Sequence, residues 1–383
     1  MNTCSSVYVH IPFCVRKCPY CDFTSFEKMS DHKEPYIRAL LREMELTSAQ
    51  SPGGPLSTVY FGGGTPSLLT PEEAGSILGK IGDSFGIESG AEITIEANPG
   101  TVTASSLRGY KKAGFNRISV GVQSFSNRVL RGLGRIHTAE EADRAVRMSD
   151  EEGFSNISCD LMLGVPEQTL TDIVHSVRHL IDLSVPHISC YSLSLEDGTL
   201  FFEKYSGKPD RLPSDEEERE MYHTVRRLLA DAGYRHYEIS NFALAGFESR
   251  HNTVYWDALP YYGFGCGAHS YIDGARIGNT MSLKRYIEVL TADAPDLEGI
   301  RAETERIDRE AEMREVMLLG FRKLSGISTA DFHKRFGIDP EQIFGHELEA
   351  LLQSGRIENA DGRWFLSEKG LDFGNEVFRS FVQ

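Results

Sequence analysis

Three cysteines within eight residues, Cys14-Val15-Arg16-Lys17-Cys18-Pro19-Tyr20-Cys21, constrain this chain more than any other feature. They follow directly on Val7-Tyr8-Val9-His10-Ile11, which reads as a first β-strand. Thiols spaced C-x3-C-x2-C are poor disulfide partners but good ligands for one metal centre. Soft thiolates select zinc, copper(I) or iron–sulfur clusters. A closed structural zinc site takes four protein ligands, so a zinc knob here needs His10 or Asp22 as the fourth. A cubane 4Fe–4S cluster normally takes four thiolates; three leave one iron open to another ligand.

The apolar pattern after this loop sets the fold class. Strand-like runs at 7–11, 58–61, 92–97, 117–122, 157–162 and 187–195 alternate with amphipathic helices at 35–49, from Thr70 onward, and at 105–113, 138–152 and 169–183. Successive βα repeats predict an α/β fold, a parallel sheet with helices outside: a partial (β/α)6 barrel. Such sheets place ligands at the carboxyl ends of their strands. From about Phe201 the alternation loosens into a charged helix at 214–232, a strand at 235–239 and a Gly/Tyr-rich stretch at 261–271. The acidic, proline-containing stretch 291–299 is the best boundary. Helices are expected at 303–323, 329–336 and 340–354, a hairpin at 356–366 turning on Asp361-Gly362, and a last helix at 368–381. The expected division is a core barrel over 1–240, a barrel extension over 241–299 and a small winged-helix-like α+β domain over 300–383.

Composition narrows the function classes. A formal charge of −16 argues against an extended nucleic-acid surface. Seven cysteines, four of them scattered at Cys4, Cys159, Cys190 and Cys266, do not form a secreted disulfide pattern. No apolar run approaches membrane-spanning length and no leader precedes the first strand, so the protein is expected in the cytoplasm.

Polar residues sit at the predicted strand ends. Phe61-Gly62-Gly63-Gly64-Thr65-Pro66-Ser67 follows strand two, and its glycines let backbone amides approach a ligand closely. A P-loop lysine is missing, and a plain glycine-rich turn is the alternative. Glu96 ends strand three, Gln123 ends strand four, and Asp160 lies in strand five. Singly each suits a satisfied polar residue at a barrel rim; together they point at one cavity. Arg135 either pairs with a carboxylate or stands solvated at a helix start.

The cysteine spacing and its flanks resemble the radical S-adenosylmethionine (SAM) superfamily, which implies a 4Fe–4S cluster on Cys14, Cys18 and Cys21 whose open iron chelates SAM. Segments 8–23, 62–67, 95–99, 121–125, 133–138 and 160–166 together are similar to the oxygen-independent coproporphyrinogen III oxidase family over most of the chain. That resemblance implies that Tyr8, Gly63 and Glu96 contact one SAM. It implies that Tyr20, Gly64, Thr65, Gln123, Arg135, Asp160 and Ser192 contact a second. Two features depart from the oxidase: Phe23 stands where it has a further cysteine, and six residues replace its longer extension before strand one. Both resemble a paralogous branch of that family, the heme chaperones. His251-Asn252-Thr253-Val254-Tyr255-Trp256 is similar to the heme-associated H-N-x-x-Y-W motif of that branch. A neutral imidazole suits heme iron, aromatic faces suit a porphyrin, and Asn252 suits a propionate. The plainer alternative is a histidine packed among aromatics. His269 is a second candidate ligand, with a structural hydrogen bond as its alternative. The resemblance implies a heme chaperone whose partners are heme, a heme-acceptor protein and an electron donor for the cluster. The rivals are a coproporphyrinogen III dehydrogenase making protoporphyrinogen IX and a radical SAM enzyme with another substrate.

Overall fold

The computed structural model describes residues 4–51 and 53–382. Strand β1 (Ser6–Ile11) buries Val7, Val9 and Ile11 completely. Helix α1 (Lys33–Gln50) covers the sheet with Tyr36, Ile37, Leu40 and Met44, one helical stripe. Then follow β2 (Leu56–Gly63), α2 (Pro71–Phe85), β3 (Ile87–Ala97), α3 (Ala104–Ala113), β4 (Arg117–Gln123), the short α4 (Asn127–Gly132), α5 (Ala139–Glu151), β5 (Asn156–Leu163), α6 (Leu170–Asp182) and β6 (His187–Ser192). All neighbouring pairs from β1 to β6 are parallel. The expected α/β fold, a parallel sheet with helices outside, is therefore present. Helices α2, α3, α5 and α6 each start on a threonine capping box, at Thr70, Thr103, Thr138 and Thr169. Each cap satisfies otherwise orphan amides and contributes about 1 kcal/mol, so the helix starts are sharply set.

Further segments widen the sheet. After α7 (Leu200–Tyr205) and α8 (Asp215–Asp231), β7 (Arg235–Glu238) and β8 (Asn241–Ala243) add an antiparallel hairpin beside β6. Helix α9 (Arg250–Trp256) lies across the amino-terminal ends of β2 and β3. Strand β9 (Tyr262–Phe264) then pairs parallel to the free edge of β1, giving the order β9-β1-β2-β3-β4-β5-β6-β8-β7. A second sheet joins β10 (His269–Ile272), β11 (Ala275–Asn279) and, after α10 (Leu283–Leu290), β12 (Arg301–Arg306). The remaining chain forms α11 (Arg309–Gly320), β13 (Ile327–Ser328), α12 (Thr329–Phe336), α13 (Pro340–Gln353), β14 (Ile357–Ala360), β15 (Arg363–Leu366), α14 (Glu368–Asp372) and α15 (Gly374–Arg379). These elements enclose a separate apolar cluster around Met317, Phe321, Phe332, Phe344, Leu348, Trp364 and Phe381. The β14–β15 hairpin turns on Asp361 and Gly362, both with positive φ, as a type I′ turn requires.

Three expected elements differ. Residues 301–306 form β12, not the start of a helix: Glu- and Arg-rich sequence favours a helix locally, but pairing with β11 overrides it, and the Asp308 cap starts α11 two residues later. Strand six ends at Ser192 rather than 195. The last helix breaks into two at Phe373, whose backbone leaves helical geometry.

Glu43 locks α1 to the later chain. Its side chain is buried and accepts hydrogen bonds from the Gly265 amide at 2.8 Å, Asn279 Nδ2 at 2.6 Å and the Tyr286 hydroxyl. Beside it, the Tyr36 hydroxyl donates to the carbonyl of His10 at 2.6 Å, just ahead of the cysteine loop. Burial pushes the Glu43 carboxyl up to about 7. No helix among the described residues is long and apolar enough to cross a membrane.

Candidate functional site

The carboxyl ends of β1–β6 open on a cavity of about 450 Å³. Side chains alternate along the strands. Arg117, Ser119, Gly121 and Gln123 line the cavity from β4, Ser158, Asp160 and Met162 from β5, and His187, Ser189 and Tyr191 from β6. The residues between them, such as Ile118, Val120, Cys159, Leu161, Ile188 and Cys190, are buried outward against the helices. The strand period of two thus sorts polar residues inward and apolar ones outward.

Cys14, Cys18 and Cys21 stand half-buried at the mouth, while Cys4, Cys159, Cys190 and Cys266 are buried elsewhere; all seven are free. The Cys21 amide bonds the carbonyl of Cys18 at 3.1 Å, curling the loop. Arg135 Nη1 lies 3.3 Å from the Cys18 sulfur, and the Thr65 hydroxyl lies 3.6 Å from that of Cys14. Burial raises the thiols of Cys14 and Cys21, the latter to about 11. The donor set suits a cluster better than a zinc ion. His10, one of the two expected fourth zinc ligands beside Asp22, is buried with its ring bonded to the Tyr8 hydroxyl at 3.0 Å and the Thr24 carbonyl at 2.7 Å. Three thiols on one loop fit the three-thiolate side of a cubane.

The glycines of 62–64 act first within the protein. A Cβ on Gly64 would lie 2.7 Å from the carbonyl of Ile11 and 2.8 Å from that of Phe13. Gly63, at φ +105°, passes so close to His10 that a Cβ would lie 2.4 Å from the ring. Only glycine lets β2 end against the cysteine loop. The Gly63 amide then donates to Glu96 at 3.2 Å, and the Tyr60 hydroxyl donates to the same carboxylate at 2.7 Å. Burial, chiefly, raises Glu96 to about 7. Asp160 accepts from the Ser119 hydroxyl at 3.4 Å, and burial raises its pKa too. Gln123 has a positive φ of 64°, a strained backbone at the cavity wall.

Arg135 is not a solvated helix-start arginine: it bonds the carbonyl of Gly121 at 3.0 Å and the amide oxygen of Asn98. Asn98 also donates to the Thr65 hydroxyl at 2.9 Å, linking Cys14, Thr65, Asn98, Arg135 and Cys18 in one chain. Tyr20 and Ser192 line the cavity; Tyr8 stands outside its wall, stacked on Tyr60 at 6.2 Å. The sequence reading gave no site role to Asn98, Arg117 or His187. The alternation of polar residues along β4 to β6 is the signal that would have found the last two.

Of the H-N-x-x-Y-W segment, Asn252 faces the cavity. His251 is 1% exposed. Its Nδ1 bonds the Thr58 hydroxyl at 2.8 Å, its Nε2 bonds the Tyr255 hydroxyl at 2.8 Å, and its ring stacks on Tyr60 at 5.0 Å. Burial and then the charge of Arg117 push it down to about 3, so it is neutral. His269 pairs with Glu303 across the β10–β12 sheet at 3.0 Å, the structural bond that was its alternative.

Comparison with known proteins agrees with this geometry. The radical SAM superfamily model matches residues 8–180, and the HemN C-terminal domain model matches 307–373. The chain is 38% identical to the heme chaperone HemW of Bacillus subtilis (strain 168), covering 98% of this chain and 99% of that one. It is 36% identical to HemW of Lactococcus lactis (99% and 97% covered) and 35% identical to HemW of Escherichia coli K12 (98% of each). The solved coproporphyrinogen III oxidase (HemN) of Escherichia coli superposes with a TM-score of 0.85 at 22% identity, over 99% of this chain and 90% of that one, a likeness of fold. A three-cysteine loop on a parallel barrel and kinship along the whole sequence lead to one assignment: the chain belongs to the HemW family of the radical SAM superfamily.

Proposed function

We propose that this protein binds heme and hands it to an acceptor protein, in the cytoplasm, and carries a 4Fe–4S cluster on Cys14, Cys18 and Cys21 with SAM at the open iron. The observation that carries the heme reading is Phe23, 61% exposed at the cavity mouth beside the thiols. Val15 and Ile136, at 52% and 55%, expose further apolar surface on the same rim. Large apolar side chains gathered around a polar mouth mark a binding surface, and a flat apolar ligand fits it. The heme chaperones to which the chain is related along its length support the same reading. The cluster, supplied with an electron by a donor protein, brings one-electron chemistry. The protein's own residues hold and orient SAM: Gly63, Gly64, Thr65, Tyr20 and Arg135 near the thiols, Glu96 toward ribose hydroxyls, Gln123 at the carboxyl end of β4 and Asp160 deeper in.

Glu96 gives a pH test. Its carboxyl sits near 7, so the ionised acceptor forms only above neutrality. SAM affinity measured by equilibrium dialysis should rise from pH 6 to pH 8 by about 1 kcal/mol, several-fold, as a neutral acceptor becomes a charged one. Glu96→Gln should flatten the profile; an unchanged profile removes Glu96 from the site.

His251 is the proposed axial heme ligand. The H-N-x-x-Y-W resemblance carries this reading; His251 is neutral but buried outside the cavity wall and bonded at both nitrogens, so ligation requires its side chain to leave Tyr255 and turn toward the cavity. In a Soret-region hemin titration, His251→Ala should bind about tenfold or more weakly, while Tyr255→Phe, which frees Nε2, should bind at least as well as wild type. Equal spectra and affinities for wild type and His251→Ala would exclude His251. Anaerobic incubation with coproporphyrinogen III, SAM and a reductant should yield no protoporphyrinogen IX. Sustained release of carbon dioxide would replace this reading with the dehydrogenase.

A further inference from the structure

Arg117 opens β4 at the closed end of the cavity and is 2% exposed. Its Nε is sealed without a hydrogen-bond partner, and among the described residues its terminal nitrogens enter no hydrogen bond or ion pair. A guanidinium taken out of water is costly unless its N–H groups are paired, and a carboxylate is the partner that fits its planar fork.

The acids nearby are engaged elsewhere. Glu96 accepts from Tyr60 and Gly63, and Asp160 from Ser119; both acids feel the charge of Arg117, but among the described residues neither forms an ion pair with it. Glu92 accepts from the amides of Arg250 and His251 at 3.1 and 3.0 Å, tying down the start of α9. The two imidazoles nearest this charge are neutral and fully bonded: His187 to Ser158 and Tyr237, His251 to Thr58 and Tyr255. The wall of the same cavity also offers hydroxyls and the Asn252 side chain. The barrel floor thus holds a fixed cation with no anion in contact.

We propose that Arg117 is the receptor for a carboxylate borne by a ligand of this cavity, with Asn252 supplying a second donor. Arg117 and Gln123 stand at opposite ends of β4, a separation of roughly 20 Å at the usual strand rise. A SAM whose carboxylate holds an iron at the mouth does not also reach the floor. The carboxylate is therefore a heme propionate or that of a second SAM. The site itself is read from the cavity; only the choice of ligand rests on the function proposed above.

The test uses full-length, cluster-reconstituted protein. Hemin affinity is measured for wild type, Arg117→Gln and Arg117→Lys, and hemin dimethyl ester is titrated into wild type. SAM affinity and stoichiometry are measured for the same three proteins. With a propionate at the site, Arg117→Gln binds hemin about ten- to hundredfold more weakly. Arg117→Lys recovers part of the loss, and the ester shows the same deficit on wild type. With SAM as the source, hemin affinity stays unchanged and Arg117→Gln loses one SAM per chain. Unchanged hemin affinity and SAM stoichiometry in Arg117→Gln, with ester and acid equal on wild type, overturns the proposal and leaves the heme reading intact. If wild type binds no hemin, that reading fails and the SAM stoichiometry alone decides the site. Should Arg117→Gln not fold, the ester comparison and Arg117→Lys decide in its place.

Discussion

Replacing Cys14, Cys18 or Cys21 singly by alanine is expected to abolish iron, sulfide and visible absorption in anaerobically reconstituted protein, while Cys159→Ala and Cys266→Ala keep all three. The expectation rests on position. The three loop thiols face the cavity mouth, half-buried and free. A cluster held by three protein thiolates has no spare ligand, so one loss leaves two. The other sulfurs are occupied or turned away: Cys4 donates to the carbonyl of Ser6 at 3.5 Å, and Cys266 to that of Thr280 at 3.2 Å. Cys159 and Cys190 point outward from β5 and β6 into the helix layer. These are core thiols, and alanine there costs packing rather than a ligand. A cluster that survives Cys18→Ala but not Cys159→Ala or Cys266→Ala would overturn the assignment.

Glu43→Ala should lower the unfolding free energy at pH 8 by about 3–5 kcal/mol, because three buried donors lose their common acceptor. The wild-type protein should also carry a pH slope of its own. Folding raises this carboxyl from 4.5 to about 7. The folded state therefore keeps a proton that the unfolded chain releases. The contribution is fully present below the unfolded pKa and is lost as pH rises through the folded one, about 3 kcal/mol between pH 4.5 and pH 7. Denaturant midpoints at pH 5 and pH 8 measure it. Glu43→Gln cannot ionise, so its midpoint should lack this part of the slope whatever its absolute stability. A slope as steep as that of wild type would refute the argument. Because the neighbouring Tyr36 holds the carbonyl of His10, Glu43→Ala should also slow cluster reconstitution.

The barrel was legible because its signals are local. Apolar strands of period two and threonine-capped helices repeat with little ambiguity, and the three loop cysteines need no partner from elsewhere to be recognised. Where the reading went astray, a distant element decided. Residues 303–306 look helical in isolation and become part of a strand only because β11 offers them a free edge. Of the two readings of Arg135, carboxylate partner or solvated helix-start arginine, only the fold sets the second aside: Asn98 and Gly121, from two other βα units, draw it inward.

The sequence by itself determined the kind of protein: a parallel α/β barrel, three soft ligands on its first loop, and a run of glycines after strand two. These follow from residue type and spacing, which act over a few residues. Tertiary structure alone decided which side chains share the cavity and in what state. It placed Arg117 at the floor without a partner, turned His251 away from the cavity onto Thr58 and Tyr255, and raised Glu43 and Glu96 to about 7. Burial and pairing are properties of neighbours brought together from far along the chain, and desolvation, which sets the charge of each group, exists only once those neighbours have excluded water.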